Sequence, residues 1–206
     1  MKAVALAITI ALGFASPICS FAQEAEPVTD SAYVVFKAGG TFPQHEDLDG
    51  YDNGFAIEGG LGIPLGSGLA IEATVGRFAI EASEQFYDSS IMETVTVTGT
   101  ASAISLAASL KLGFPVRSVE FYGLAGGGLY FVDMELRATA PGYIPLEESD
   151  RDTAFGFHLG AGLSVRVSPK ASLGLEAKYV IASATLFDEK GGIDSLLVTG
   201  GLGYRF

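Results

Sequence analysis

Residues 196–206 read Leu-Leu-Val-Thr-Gly-Gly-Leu-Gly-Tyr-Arg-Phe. Leu196, Val198, Leu202, Tyr204 and Phe206 share one parity, and Leu197, Thr199, Gly201, Gly203 and Arg205 share the other. Strict alternation of this kind predicts a β-strand with one apolar face and one small or polar face. The strand runs out on an aromatic side chain of the apolar face. A domain surrounded by water gains nothing by ending there, so the environment of that face is the first question the chain poses.

The opposite end sets the compartment. Met1-Lys2 is followed by an almost wholly apolar stretch from Ala3 to Phe14, then by Ser20-Phe21-Ala22. A charged start, an apolar stretch and a small-x-small site predict a secretory signal peptide over 1–22, too short and weakly flanked for a membrane helix. Cys19 raises a lipoprotein alternative, which Ile18 disfavours, since a small residue belongs before a lipidated cysteine. Cleavage after Ala22 removes Cys19 and leaves no cysteine to form a disulfide. Residues 23–30 then form a short acidic periplasmic tail, and 31–206 make a single domain.

The mean hydropathy is positive, at +0.38, yet no later apolar run is long enough to span as a helix. Transmembrane strands give this combination, because only every second residue faces lipid. Eight alternating segments fall near 31–41, 54–63, 69–80, 95–113, 119–132, 153–167, 172–183 and 195–206. Tight turns are expected at 64–68, 114–118 and 168–170, and longer polar loops at 42–53, 81–94, 133–152 and 184–194. Short turns on one side and long loops on the other predict an eight-stranded antiparallel up-and-down transmembrane β-barrel, with the turns periplasmic. A soluble lipocalin-type barrel would direct its apolar face inward around a ligand. Lys37, Glu58, Glu72, Lys111, Arg166, Glu176, Lys178 and Arg205 all oppose the apolar parity of their strands, which either barrel could accommodate. The signal peptide, the terminal Phe206 and the loop asymmetry favour the membrane.

Three stretches strain the pattern. Arg77 has lipid-facing parity; it lies about 26 Å along the strand from Leu69, at the outer interface and within reach of lipopolysaccharide phosphates, unless Gly76 forms a bulge. Val95 and Val97 are odd while Ile104, Leu106, Leu110 and Leu112 are even, which calls for a bulge near Gly99 or a stretch standing clear of the membrane. Segment five is apolar on both faces; if Phe121, Leu129 and Phe131 face lipid, Glu120 and Tyr122 face inward.

Eight alternating segments, the Leu202-Gly203-Tyr204-Arg205-Phe206 ending, Gly160-Ala161-Gly162-Leu163-Ser164 before a Pro turn and the glycine-rich 122–128 together resemble the OmpA-type transmembrane barrel and opacity-protein superfamily of Gram-negative bacteria. The resemblance spans the whole mature chain, 23–206, and is one of alternation and punctuation, without a catalytic motif. It implies an outer-membrane location, a C-terminal strand read by the assembly machinery through Leu202, Tyr204 and Phe206, and a structural, adhesin-like, antigenic or narrow-pore role.

Parity places Lys37, Lys111, Arg166, Lys178 and Arg205 in the lumen with Glu58, Glu72, Glu176 and Glu120. Such near balance predicts charges paired across the interior, as a structural polar core or as a latch that opens a narrow pore when pairs swap. The loops are acidic: Glu46, Asp47, Asp49 and Asp52; Asp133, Glu135, Glu147, Glu148, Asp150 and Asp152; Asp188, Glu189 and Asp194. Carboxylates suit Ca²⁺ or Mg²⁺, but the 47–52 spacing does not match an EF-hand loop, and solvated loops are expected. Phe86, Tyr87, Ile91, Tyr143, Ile144 and Pro145 interrupt the acids and would anchor a protein contact or pack the loops together. Only two histidines exist, His45 and His158. Ser164 lies about 20 Å along the strand from His158, so no nucleophile–base grouping is visible and no enzymatic activity is expected. No cofactor or metal is implied, and the net charge of −12 argues against a nucleic-acid partner. The expected partners are outer-membrane lipid and lipopolysaccharide, the assembly machinery and a surface ligand at the loops. A closed barrel leaves no sheet edge demanding a partner, so a monomer is expected.

Overall fold

The computed structural model describes residues 31–206 except 46, 47, 49, 90, 91 and 188. The signal peptide, Cys19 and the tail therefore lie outside the described residues, as do Glu46, Asp47, Asp49, Ile91 and Asp188. The strands are β1 (Tyr33–Pro43), β2 (Gly54–Gly66), β3 (Leu69–Asp88), β4 (Glu93–Val116), β5 (Val119–Thr139), β6 (Leu146–Arg166), β7 (Ala171–Leu186), β8 (Glu189–Gly192) and β9 (Ser195–Arg205). Every pairing is antiparallel. β1 to β7 pair in sequence, β9 pairs β7, and β1 pairs β9 from Tyr33↔Arg205 to Pro43↔Ser195. These eight strands close a ring. β8 stands outside it, paired only with the end of β7.

Alternation fixes which face each residue takes. Phe36, Ile57, Val75, Leu106, Phe157 and Leu202 are exposed on the outer wall. Only an apolar surrounding makes such a belt stable, and lipid supplies it. Inward positions mix small residues such as Ala56, Thr74, Ser105 and Thr199 with larger charged and aromatic ones, in keeping with an eight-stranded interior that side chains just fill. The ring closes at its narrow end with hairpins. The turn at 117–118 joins Val116↔Val119, and Arg117 takes φ +57° there, as the right-handed twist of a two-residue hairpin demands. Pro64 and Pro115 are paired within strands, opposite Ala70 and Glu120. Each lies past the end of its strand's other neighbour, where a missing N–H leaves no ladder bond unmade.

Strand lengths are unequal. β1 and β9 have 11 residues each, whereas β3 to β6 have 20 to 24. β2 leaves β3 after Phe55↔Ala79, and β7 leaves β6 after Gly156↔Ala182. Beyond those points β3, β4, β5 and β6 continue as an open four-stranded sheet, extending β3 by roughly 30 Å. Most of the stretches expected as loops at 81–94 and 133–152 are therefore strand. The 184–194 stretch likewise contains the β7–β8 hairpin, turned at Phe187 with φ +51°.

Of the alternatives open at Gly76 and Gly99, the bulge is absent at both. β3 pairs continuously with both neighbours through Gly76, and β4 does so through Gly99; a register shift lies instead between Pro64 and Gly66. Arg77 consequently faces outward with its parity intact. Val95 and Val97 take the inner parity of β4 on the open sheet above the ring, the second of the two readings. In β5, Phe121, Leu129 and Phe131 are exposed and Tyr122 is buried, which fixes the uncertain register.

Candidate functional site: the barrel lumen

The lumen is built in tiers. At the turn end is a cavity of about 90 Å³ lined by Tyr33, Lys111, Glu120, Tyr122, Arg205 and other inward residues. Lys111 Nζ lies 3.5 Å from Glu120 and 3.9 Å from the Tyr122 ring centroid, and Arg205 reaches Glu120 at 3.4 Å.

The next tier is a charge cluster. Lys37 Nζ contacts Glu58 at 3.1 Å and Glu72 and Glu176 at 2.9 Å each. Lys178 pairs with the other oxygen of Glu58. Tyr33 donates to Glu72 at 3.1 Å and Tyr122 donates to Glu176 at 3.0 Å. Both tyrosines lie over inward glycines: a Cβ on Gly62 would overlap the Tyr33 ring, and one on Gly162 the Tyr122 ring. The glycines thus make the space that brings each hydroxyl to its carboxylate. Lys37 and Lys178 are 7% exposed and Glu72 2%. Charges so removed from water persist only when paired and hydrogen-bonded. Among the described residues, Glu176 Oε1 is buried without a hydrogen-bond partner, and Glu176 also lines the cavity below.

Above the cluster Ser109 Oγ lies 2.7 Å from His158 Nε2, and Tyr130 OH lies 3.4 Å from His158 Nδ1. Sequence spacing did not suggest this contact, because Ser109 and His158 sit on β4 and β6, separated by β5. All three side chains are buried and none lines the cavity. Ser164, on the same strand as His158, lines the turn-end cavity instead.

The loop end is apolar. Phe78, Tyr130, Val180 and Leu197 pack with inward alanines and with Ile193, and Leu48 joins Ile80 and Ala101 beside Tyr51. Leu48 and Ile193 come from the connections after β1 and β8, so both segments fold down over the ring. Gln44 N–H donates to the Asp194 carbonyl at 2.9 Å, joining the two segments. His45 lies against Gly192 in the same place.

Of the nine residues expected in the lumen, Arg166 is the correction. It is the last residue of β6 and is exposed at the turn-end mouth; its parity is inward but its height is outside. Without it, four cations face four carboxylates. Nothing on the outer wall among the described residues explains Arg77. Leu202, Tyr204 and Phe206 are exposed on that wall, with Tyr204 and Phe206 edge-to-face at 5.9 Å.

Several loop carboxylates are bonded internally rather than only solvated. Asp150 accepts from Phe187 N–H at 2.6 Å and Arg151 N–H at 2.8 Å, and Asp152 from Thr185 N–H at 2.6 Å. The two join β6 to the end of β7 where their ladder has stopped. Asp150 is consequently held below the ordinary carboxylate range by those backbone donors. Asp194 accepts from Ala182 N–H, and Glu147 pairs with Arg137. Among the described residues no group of three or more His, Cys, Asp or Glu is arranged to hold a metal. Ile144 is 93% exposed and Leu146 73%, with Phe86, Tyr87, Met92 and Tyr143 also exposed on the hairpins.

Residues 7–206 match the outer membrane protein beta-barrel domain. The chain belongs to that family. It is a bacterial outer-membrane β-barrel, so the turn end is periplasmic and the loop end external. Among solved structures, Neisserial surface protein A is similar at 16% identity and TM-score 0.55, covering 85% of this chain and 97% of that one. A major outer membrane protein from Thermus thermophilus is 16% identical with TM-score 0.50, covering 85% and 100%. The attachment invasion locus protein Ail of Yersinia pestis is 17% identical with TM-score 0.47, covering 85% and 97%. At such identities the likeness is one of fold. No curated protein matches the sequence.

Proposed function

We propose that this outer-membrane barrel is a non-enzymatic structural and surface-interaction protein, acting through the sheet and loops above the membrane rather than through its lumen. The supporting observation is the filling of the interior. The 90 Å³ cavity reaches only as far as the charge cluster, and above it Phe78, Tyr130, Val180 and Leu197 leave the axis to apolar contacts. A solute passing outward would have to part the ion pairs and then an apolar core. The Ser109–His158 contact lies between these tiers, and neither side chain lines the turn-end cavity. What stands free is the external sheet, with acidic hairpins carrying exposed Tyr87, Met92, Tyr143 and Ile144. Apolar side chains among carboxylates suit a partner with basic and apolar groups.

The test is small-solute flux across liposomes holding the refolded barrel, with heat-modifiable gel mobility as the folding control. A folded, tight barrel supports the reading, and flux from the unmodified protein would overturn it. The alternative is a narrow passive pore latched by the lumen charges. It is favoured by one observation, the unpartnered Glu176 Oε1 at the top of the periplasmic cavity. Under that reading Glu176→Ala or Lys178→Ala should change single-channel current; an unchanged current discards the latch.

A further inference from the structure

We propose that the periplasmic mouth of the barrel binds the phosphate of anionic phospholipid headgroups in the inner leaflet of the outer membrane. Arg117, Arg166, Lys170 and Arg205 line one recess there. They come from the β4–β5 turn, the end of β6, the β6–β7 turn and the end of β9. These are four of the 12 Lys and Arg residues in a chain of net charge −12. Among the described residues Glu120 is the one carboxylate lining the recess, and it is shared by Lys111 and Arg205. Among the described residues, Arg117, Arg166 and Lys170 are exposed and have no carboxylate within ion-pairing distance.

The backbone holds these cations together against their mutual repulsion. Arg166 N–H donates to the Ser118 carbonyl at 2.8 Å, tying the end of β6 to the neighbouring turn, and Ser168 Oγ accepts from Ala171 N–H at 3.0 Å within the next turn. A recess with uncompensated guanidinium and ammonium groups suits a multiply bonded oxyanion.

Its depth selects lipid. The outer wall beside the recess exposes Val116, Phe121, Val167, Leu173 and Tyr204, so it lies at the edge of the apolar belt. Lys170 Nζ is 5.9 Å from the Tyr204 ring centroid, and aromatic residues at a belt edge mark headgroup level. Headgroup phosphates are present there permanently, whereas a soluble anion must be captured from dilute solution.

The full-length barrel would be reconstituted in bilayers of equal phosphatidylglycerol and phosphatidylcholine, and the lipids it retains on extraction counted by native mass spectrometry. The expected result is phosphatidylglycerol enrichment that falls by about fivefold for each cation removed, and is abolished in Arg117→Ser/Arg166→Ser/Lys170→Ser. Arg205 is left in place because it pairs with Glu120. Should the triple variant fail the gel-mobility control, Lys170→Ser alone and a salt titration of the unmodified barrel carry the test, since screening should level the preference. Equal retention of both lipids by the unmodified barrel overturns the proposal. Displacement of the retained lipid by millimolar inorganic phosphate also overturns it, reassigning the recess to soluble anions. None of these outcomes depends on whether the lumen conducts.

Discussion

Lys37 is the residue on which the lumen depends. Among the described residues it alone ion-pairs with Glu72 and Glu176, at 2.9 Å each, and it shares Glu58 with Lys178. Removing one member of a buried ionic group leaves its partners charged and dry, at a cost of about 3–5 kcal/mol. Lys37→Ala should lose at least that in urea unfolding followed by gel mobility in lipid. Lys37→Met, which keeps the aliphatic stem, should lose nearly as much. A Met variant as stable as the parent would mean that packing, not charge, holds the tier. Much of this cluster was legible, because alternation assigns each charge to a face. Arg166 shows the limit: parity states the face but not the height, and the last residue of an inward-facing row is already outside. The Ser109–His158 contact was hidden for a related reason. It spans two strands that are not neighbours, and the stagger of the closed ring decides which residues meet across it.

At the scale of elements, legibility followed the solvent. Where lipid bathes one face the period of two is strong, and β7 and β9 could be drawn closely. Above the membrane both faces of β3 to β6 meet water, so the alternation fades. Ser83, Glu84 and Gln85 of β3 and Glu147, Glu148 and Ser149 of β6 carry no apolar contrast, and such stretches read as loop, whereas Val95 and Val97 still mark their part of β4 as strand. The same holds for β8, whose Glu-Lys-Gly-Gly sequence has no strand signature. What binds this upper region is polar, notably Asp150 and Asp152 capping the amides of Phe187 and Thr185. Asp150 has a depressed folded-state pKa. Its contribution is therefore present above the unfolded-state pKa and is lost as pH falls through the folded-state value. The Phe187 amide chemical shift should titrate with a midpoint below the ordinary aspartate range, and Asp150→Asn should abolish that titration. A midpoint at the ordinary value would show that the bond does not form in solution.

At the scale of the whole molecule, charge and length are both lopsided. Cations gather at the periplasmic mouth, exposed carboxylates lie along the external hairpins, and one wall stands far taller than the other. The four external connections also differ in kind. Two of them, after β1 and around β8, deliver Leu48 and Ile193 into the interior and act as its stopper. The two tall hairpins end in open water, with Ser89 and Met92 exposed at one tip and 141–145 at the other. An engineer choosing where to graft a foreign peptide would thus find two permissive sites and two forbidden ones. A ten-residue tag at 141 or 89 should leave the folded gel mobility and thermal midpoint unchanged and be fully accessible to antibody on whole cells. The same tag at 44 or 193 would unseat the stopper and lower the midpoint. Over generations, diversity in such a coat protein would be free to accumulate on the tall wall, while the short wall keeps the barrel shut.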